Sequence, residues 1–286
     1  MRKVLGLLLL FFVSTLVSFG QKAKPVFEVV PLGVYGGIDE RNLSAYLVAP
    51  IGTKEYVCLD AGTVHSGIEK AIEKGTFSVP SSTVLRQYIK GYCISHAHLD
   101  HVSGLIINSP ADSTKTVYAI APAMKMMQNH YFNDQTWANF GDEGLGKPLK
   151  KYHFETLSFA KTIPISNTSM TVQAFPLSHV NPYESTAFLI KKDNNAVLYL
   201  GDTGPDSVEK TTNLADLWKA IAPLIQKQEL KGILIEVSFP NEQPDAFLFG
   251  HLTPKHLMKE MQVLAALTGN EALQKCKIII TRYPSN

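Results

Sequence analysis

Short apolar runs, bounded by glycine, proline or polar residues, recur along the chain and predict two blocks of strands with helices. The predicted strands cover residues 26–30, 44–48, 56–60, 91–94, 117–120, 151–157, 170–175, 186–190, 197–200, 232–236 and 277–281. Apolar positions at helical spacing predict helices over 66–74, 81–90, a segment after Asp100, a segment from Pro122, 208–228 and 254–267. This order predicts an α/β fold, in which two β-sheets pack together and the helices lie outside.

The most concentrated chemistry lies in the segment Ser95–Leu105, which follows a predicted buried strand. His96 and His98 share one face of this extended segment, because side chains alternate along a strand. Asp100 and His101 follow, where the apolar spacing becomes helical. The two imidazoles can hold one metal ion, and Asp100 with His101 can face a second. Imidazole and carboxylate donors favour zinc, with manganese and iron as alternatives.

Two further polar residues follow predicted strands in the second half of the chain. His179 follows the strand 170–175, and Asp202 follows the strand 197–200. His179 is a candidate to complete the three protein ligands of the first metal, and Asp202 is a candidate to bridge two metals, but these positions alone decide neither role. Asp60, at the end of another strand, is interpreted as an acceptor that fixes its loop in preference to a contact with the metal ligands.

The first twenty residues differ from the rest and are typical of a secretory signal peptide. Arg2 and Lys3 precede an apolar run that ends near Phe19, and small residues come before Gln21. The run is shorter than the roughly 20 apolar residues of a membrane-spanning helix, so an uncleaved anchor is the weaker interpretation. We therefore expect a secreted or periplasmic protein, with residues 21–286 forming one hydrolase domain and no stable membrane association after cleavage.

Charge and cysteine content narrow the classes of function. Loss of residues 1–20 removes two basic residues and no acidic one, which brings the 27 basic residues level with the 25 acidic ones. A balanced chain argues against nucleic acid as a partner and favours a small-molecule substrate. Cys58, Cys93 and Cys276 lie in apolar, strand-like contexts and are odd in number, which predicts buried free thiols.

The connection 129–148 is long, polar and rich in glycine and asparagine. A stretch of this length and irregularity exceeds an ordinary turn between two elements. Two interpretations remain open: a loop that covers the substrate, or a disordered excursion.

Three stretches together resemble one known family. The motif His96–Leu105 resembles that of the metallo-β-lactamase superfamily, and its residue sequence is similar to the signature of class II 3′,5′-cyclic-nucleotide phosphodiesterases. The stretches Leu59–Thr63 and Gly250–Pro254 are also similar to that family. The resemblance runs from about Leu32 to the C-terminus. It implies an αββα sandwich of two mixed β-sheets and a binuclear zinc site, whose ligands would be His96, His98, His179, Asp100, His101 and the bridging Asp202.

The resemblance also implies a catalytic pair next to the metals. His251 lies just before Thr253, a predicted N-cap, and Pro254, the first helical position. In the phosphodiesterase-like branch a histidine here works near the scissile phosphate with a strand-end glutamate, for which Glu236 fits. His251 would protonate the departing 3′ oxygen after a metal-bound hydroxide attacks phosphorus, with Asp100 also counted as catalytic. The alternative role for His251 is packing at a helix entry.

One residue departs from the family pattern. The resemblance leads us to expect a metal-ligand histidine after the strand 277–281, and this chain has Arg282. Two zinc ions per chain are expected, and this departure leaves the binding of the second one open. Three interpretations are open: Asp100, His101 and Asp202 hold that metal with waters, the metal binds weakly, or Arg282 contacts the substrate phosphate.

The sequence thus predicts hydrolysis of cyclic AMP, cyclic GMP or both to 5′-nucleotides. The alternative enzyme is another hydrolase of the metallo-β-lactamase fold, acting on a different phosphodiester, a lactone or a lactam. The alternative outside enzymes is a binding protein with a degenerate site, which Arg282 alone supports. The preferred nucleotide and the oligomeric state do not follow from the sequence.

Overall fold

Two six-stranded β-sheets face each other, with helices packed on their outer surfaces. The computed structural model describes residues 25–37, 39–180 and 182–282. The predicted signal peptide, residues 1–20, therefore lies outside the described residues. Both sheets combine parallel and antiparallel neighbours, so the predicted αββα arrangement of two mixed sheets is confirmed.

The first sheet places its six strands side by side in chain order. The pairs formed by the first three strands are antiparallel, and those from the third to the sixth strand are parallel. The carboxyl ends of the parallel strands meet at one edge, which is where the histidine motif follows the fourth strand. The strands are β1 Phe27–Gly33, β2 Ala45–Pro50, β3 Tyr56–Leu59, β4 Ile89–Cys93, β5 Lys115–Ile120 and β6 Tyr152–Leu157.

The second sheet has the order β12-β11-β10-β9-β8-β7. The pairs from β7 to β10 are antiparallel, and the pairs β10–β11 and β11–β12 are parallel. Strand β7 is a short edge strand that the apolar pattern does not predict, since its residues are not fully buried. The strands are β7 Thr162–Pro164, β8 Thr171–Ser178, β9 Glu184–Lys192, β10 Asn195–Leu200, β11 Leu230–Glu236 and β12 Lys277–Thr281.

The helices follow the predicted apolar periodicity with one correction. They are α1 His65–Glu73, α2 Ser81–Thr83 with a π-helical extension Val84–Tyr88, α3 Leu99–Asn108, α4 Ala121–Met126 with a π-helical extension Met127–Tyr131, α5 Asp206–Glu209, α6 Asn213–Gln226, the 3₁₀ turn Asp245–Phe247, α7 Pro254–Thr268 and α8 Asn270–Leu273. Among the described residues, none of the helices combines the length and apolar character needed to cross a bilayer.

The prediction of one continuous helix over 208–228 is wrong. The helix is interrupted at Lys210, which adopts a left-handed conformation with φ of 56°. The Asp206 carboxylate then accepts hydrogen bonds from the backbone N–H groups of Leu214 (3.1 Å) and Ala215 (2.9 Å) at the start of α6. Because these donors have no partner within the helix, the carboxylate makes a second helix start favourable.

The core consists of two layers that follow the alternation of side chains along the strands. Phe188 and Ile190 of β9 point into the layer shared with the first sheet. Ala187 and Leu189 of the same strand point to the opposite side, where α6 and α7 cover them with residues such as Trp218. The period-two apolar pattern of the sequence is therefore the pattern of a strand buried on both faces.

The connection 129–148 is an ordered segment that holds itself together. Asn139 is fully buried and its amide donates to the carbonyl oxygens of Glu143 (3.1 Å) and Leu145 (2.7 Å). Trp137 Nε1 donates to Ser109 Oγ at the C-terminal end of α3. The disordered interpretation is therefore wrong. The segment contacts both ends of α3, since the Tyr131 hydroxyl also donates to the Ala97 carbonyl oxygen within the histidine motif at 2.9 Å. The interpretation as a loop that covers the substrate stays a prediction.

Candidate metal centre

The histidine motif forms the turn between β4 and α3. Helix α3 begins at Leu99, and His98 is its extended N-cap, with φ of −67° and ψ of 148°. The extended backbone places His96 and His98 together, with His96 Nε2 3.1 Å from His98 Nδ1. His96 is fully buried, whereas His98 is exposed. The predicted pair of imidazoles thus forms the open side of a buried cluster.

His179 joins this pair from the second sheet. It follows β8 directly, and its Nε2 lies 3.2 Å from His98 Nδ1. The nitrogens of His96, His98 and His179 lie within 4.8 Å of one another. Ligand nitrogens in a tetrahedral zinc site lie about 3.3 Å apart, because each is 2.0–2.1 Å from the metal. The spacing in this cluster therefore fits a single divalent metal.

The imidazoles are held in the neutral form that a metal requires. Burial lowers the pKa of His179 to about 3, and burial together with the neighbouring His101 lowers the pKa of His96 well below its usual value. The ring nitrogens that face away from the cluster have acceptors: His179 Nδ1 lies 2.9 Å from the Gly250 carbonyl oxygen, and His96 Nδ1 lies 3.0 Å from Ser95 Oγ. Such partners fix which ring nitrogen keeps its lone pair for the metal.

A second group of donors lies beside the first. Asp202 follows β10, is 2% exposed, and places Oδ2 3.8 Å from His96 Nε2 and 3.9 Å from His179 Nε2. The same oxygen lies 3.3 Å from His101 Nε2. Asp100 Oδ2 lies 3.6 Å from that nitrogen. Asp202 is thus within reach of both groups, as a bridging carboxylate would be.

Arg282 occupies the space among the second group of donors. Its Nη1 contacts Asp202 Oδ2 and lies 3.0 Å from His101 Nε2, while Nη2 lies 2.5 Å from Asp100 Oδ2. Burial acts to raise the pKa of the Asp100 carboxyl, but the neighbouring His101 and Arg282 hold this pKa below its usual value. The interpretation of Arg282 as a substrate-binding residue stays a prediction, because its contacts go to Asp100, His101 and Asp202.

Asp60 performs both roles considered for it. Its carboxylate accepts hydrogen bonds from the Ser95 backbone N–H (2.7 Å) and hydroxyl (2.7 Å), which fixes the loop before the histidine motif. It also accepts from His101 Nδ1 at 2.6 Å and from the Tyr199 hydroxyl at 2.5 Å. The preference for a purely loop-fixing role was therefore too narrow, since Asp60 also orients the His101 ring.

His251 and Glu236 form a pair at the edge of the cluster. His251 Nδ1 lies 2.7 Å from Glu236 Oε1 and 3.8 Å from Asp202 Oδ2. Glu236 ends β11, is 1% exposed, and also accepts from the backbone N–H groups of Thr203 (3.1 Å) and Ser238 (3.0 Å). Burial disfavours the charged imidazole, yet the Glu236 carboxylate raises the pKa of His251 above its usual value. Contact with Glu236 and Asp202 goes beyond the packing role considered for His251.

Tyr183 is a neighbour of the centre that the sequence did not indicate. Its ring stacks on His98, with ring centroids 4.9 Å apart and an interplanar angle of 10°. Its hydroxyl donates to Met126 Sδ at 3.4 Å. Tyr183 lies in the loop between β8 and β9, and no local pattern distinguishes it from other loop aromatics.

This geometry can be compared with known proteins. Residues 79–284 match the family described as cAMP phosphodiesterases class-II. The chain belongs to this family. It is 43% identical to a 3′,5′-cyclic-nucleotide phosphodiesterase of Aliivibrio fischeri over 96% of this chain and 86% of the relative. It is 30% identical to the cAMP/cGMP-dependent 3′,5′-cAMP/cGMP phosphodiesterase A of Dictyostelium discoideum over 83% of this chain and 67% of the relative.

Solved structures show the same fold. Unliganded yeast PDE1 superposes with a TM-score of 0.81 over 91% of this chain and 89% of the other, at 24% identity. The metallo-beta-lactamase fold protein YhfI from Bacillus subtilis superposes with a TM-score of 0.55 over 92% of this chain and 99% of the other, at 16% identity. The predicted metallo-β-lactamase-like fold is confirmed, and so is the prediction of a cyclic-nucleotide phosphodiesterase of class II.

The structure brings all predicted site residues into one place. Among the described residues, three overlapping groups of side chains could hold a metal ion, and every predicted ligand other than Asp100 belongs to at least one of them. Asp100 adjoins them through His101 and Arg282. The fold and the cluster together indicate a divalent-metal enzyme, whereas the role of each residue stays a prediction.

Proposed function

We propose that this phosphodiesterase hydrolyses 3′,5′-cyclic nucleotides to 5′-nucleotides, with a zinc ion at His96, His98 and His179 and with His251 as general acid. The observation that carries this proposal is the pair His251–Glu236, 2.7 Å apart, beside three converging imidazoles. Family membership supports the substrate class, since the relative from Aliivibrio fischeri is named for this activity.

Zinc is supported by the donor set. Three neutral imidazole nitrogens, with a carboxylate oxygen of Asp202 within 4 Å of two of them, match the ligands and spacing that zinc prefers. When bound, the metal supplies Lewis acidity, which lowers the pKa of a water molecule and offsets charge on the phosphoryl oxygens. The number of ions depends on Arg282, because its guanidinium lies among Asp100, His101 and Asp202.

His251 is suited to protonate the leaving group. Opening of the cyclic phosphate breaks the bond between phosphorus and the 3′ oxygen, which departs as an alkoxide that needs a proton. With Nδ1 donating to Glu236, the N–H group at Nε2 of the charged imidazole is the one available to that oxygen. The backbone N–H groups of Thr203 and Ser238 fix the Glu236 carboxylate. The fixed carboxylate holds the His251 ring in place, and its negative charge favours the charged imidazole.

An apolar rim beside the centre supports a nucleotide as the substrate. Leu99 is 61% exposed next to His98, and Phe249 is 60% exposed two residues before His251. Phe249 has a left-handed backbone, with φ of 48°, and its ring lies 6.5 Å from the Phe239 ring, which itself lies 5.7 Å from the His251 ring. Exposed aromatic rings bind nucleobases by stacking, whatever the base. The rim therefore offers a surface for the base of either cyclic AMP or cyclic GMP.

The deciding experiment measures release of 5′-AMP from cyclic AMP with and without a chelator. We expect chelator-sensitive hydrolysis, and we expect His251→Ala to lower kcat by about 10²- to 10⁴-fold while the zinc content stays unchanged. His65→Ala is the matched control, because His65 is exposed at the start of α1 and, within the described part of the chain, forms an ion pair with Glu69 alone. Full activity of His251→Ala would remove its assigned role.

The proposed substrate has its own test. A chromogenic lactam and bis-nitrophenyl phosphate, assayed beside cyclic AMP, compare the alternative hydrolases. Turnover of the lactam alone would replace the phosphodiesterase proposal, and absence of all turnover in a zinc-loaded protein would support a binding protein.

We further propose that the protein is exported, so that the enzyme acts outside the cytoplasm. The support is the basic start, apolar run and small residues that precede Gln21. N-terminal sequencing of the protein recovered from the extracellular or periplasmic fraction is expected to begin at Gln21. Recovery of chains that still carry Met1 would contradict cleavage.

A further inference from the structure

Arg282 follows β12 and directs its guanidinium into the donors of the second metal position. Its Nη1 contacts Asp202 Oδ2 and lies 3.0 Å from His101 Nε2, and Nη2 lies 2.5 Å from Asp100 Oδ2. The residue is 8% exposed. A single guanidinium thus contacts Asp100, His101 and Asp202, the three side chains expected to hold a second ion.

The contact with His101 uses the atom that a metal would use. His101 Nδ1 lies 2.6 Å from Asp60 Oδ2, and a carboxylate oxygen can only accept from it. His101 Nε2 therefore carries the lone pair, and Arg282 Nη1 donates to it. A guanidinium stays charged throughout the accessible pH range and has no lone pair to offer, so Arg282 cannot itself be a metal ligand.

The backbone builds Arg282 into this position. Its N–H donates to the Val34 carbonyl oxygen at 2.9 Å, and its own backbone is left-handed, with φ of 51°. The guanidinium lies directly on Gly36, where a β-carbon would overlap it. Both contacts come from the segment after β1, so the side chain is seated between the two sheets.

A guanidinium and a divalent ion exclude each other here. The ion would have to displace Arg282 from Asp100, His101 and Asp202 and would then lie beside a second buried cation. Repulsion between cations is strong where water is excluded. The first position differs, because the ring nitrogens of His96, His98 and His179 lie close to one another. Among the hydrogen bonds of the described residues, none joins Arg282 to these three rings.

We infer that Arg282 takes the place of a second metal ion, and that the chain binds one divalent metal, at His96, His98 and His179. The guanidinium supplies one positive charge to Asp100 and Asp202, whereas a divalent metal ion would supply two. This inference rests on the metal position proposed above, and it makes the centre mononuclear where two zinc ions were expected.

The test counts zinc on the purified protein by elemental analysis after loading with excess zinc and removal of unbound metal. We expect about one zinc per chain for the unchanged protein and about two for Arg282→His, because an imidazole adds a fourth donor to the second position. Arg282→Lys keeps the charge and is expected to stay at about one. Arg86→His is the matched control, since Arg86 is exposed on the extension of α2, and it is also expected to stay at about one.

Two zinc ions bound to the unchanged protein would overturn the inference, whatever the variants do. One zinc in both the unchanged protein and a folded Arg282→His variant would also overturn it, because the guanidinium would then not be what excludes the second ion. The count is independent of turnover. A protein with one zinc and no hydrolysis of cyclic AMP would remove the proposed function and leave this inference standing.

Discussion

At the scale of single residues, each important imidazole is oriented by a polar group from another segment. His179 has the Gly250 carbonyl oxygen, and His101 has Asp60. His251 has Glu236 at 2.7 Å. Such partners fix ring tautomer and direction, and their loss reduces metal affinity or rate without removing a ligand. Local sequence motifs identify the imidazoles, and the family resemblance suggests Glu236 as the partner of His251. The partners of His179 and His101 are established only by the folded structure.

Glu236→Gln tests orientation apart from metal binding. The amide oxygen can still accept from His251 Nδ1, but the negative charge that favours the charged imidazole is lost. We expect kcat for cyclic AMP to fall by roughly tenfold or more while zinc content stays unchanged. Glu242→Gln serves as the control, because Glu242 is exposed in the loop after β11. Unchanged kcat in Glu236→Gln would contradict the orienting role.

At the scale of elements, a buried polar contact joins the two long helices outside the second sheet. Trp218 Nε1 of α6 donates to Glu260 Oε2 of α7 at 2.7 Å, and both residues are buried. Burial raises the pKa of Glu260, although the bond from Trp218 lowers it in part. Because this pKa is raised in the folded protein, ionisation of Glu260 reduces stability as pH rises above the usual value of 4.5.

Glu260→Gln separates that charge from the hydrogen bond. The amide keeps an acceptor for Trp218 and removes the buried charge. We expect the variant to have a higher free energy of unfolding than the unchanged protein at pH 7, and we expect the difference to shrink as pH falls toward 4.5. Urea titrations followed by tryptophan fluorescence at several pH values measure both quantities.

Two controls accompany this comparison. Glu271→Gln changes an exposed glutamate on α8 and is expected to leave stability unaltered. Glu260→Ala leaves Trp218 Nε1 without its acceptor, and the free energy of unfolding is expected to fall by about 1–3 kcal/mol. A Glu260→Gln variant that is less stable than the unchanged protein at pH 7 would contradict the charge argument.

At the scale of the whole molecule, the proposed metal donors come from both sheets. His96 and His98 follow β4 of the first sheet, and His179 follows β8 of the second. A metal at these nitrogens would join the two sheets at one edge. Since a ligand that binds only the folded state stabilises it, metal content is coupled to the stability of the molecule.

Removal of metal is therefore expected to lower Tm. With zinc at a thousandfold excess over its Kd, binding contributes about 4 kcal/mol, which corresponds to a shift on the order of 10 °C in a protein of this size. Differential scanning fluorimetry with and without a chelator measures the shift. In His98→Ala the chelator is expected to have little effect, and an equal shift in that variant would show that the metal acts elsewhere.

The sequence by itself determined most of the elements and the candidate metal donors. Apolar periodicity is set by neighbouring residues, and His96, His98, Asp100 and His101 are close in the chain, so their placement at a turn follows from local geometry. The break at Lys210 was missed, because it depends on the Asp206 carboxylate, which folds back onto α6.

Only the tertiary structure decided which donors share a site and what lies among them. Asp60 and His101 are 41 residues apart, and Arg282 and Asp100 are 182 residues apart. The first contact arises from the pairing of β3 with β4 within one sheet, and the second arises from the packing of the two sheets. No local pattern encodes either contact. A departure from a family motif can be read from the chain at Arg282. The position of its guanidinium among the second group of donors depends on tertiary contacts. The end of β12 meets the segment after β1, and this contact directs the Arg282 side chain there.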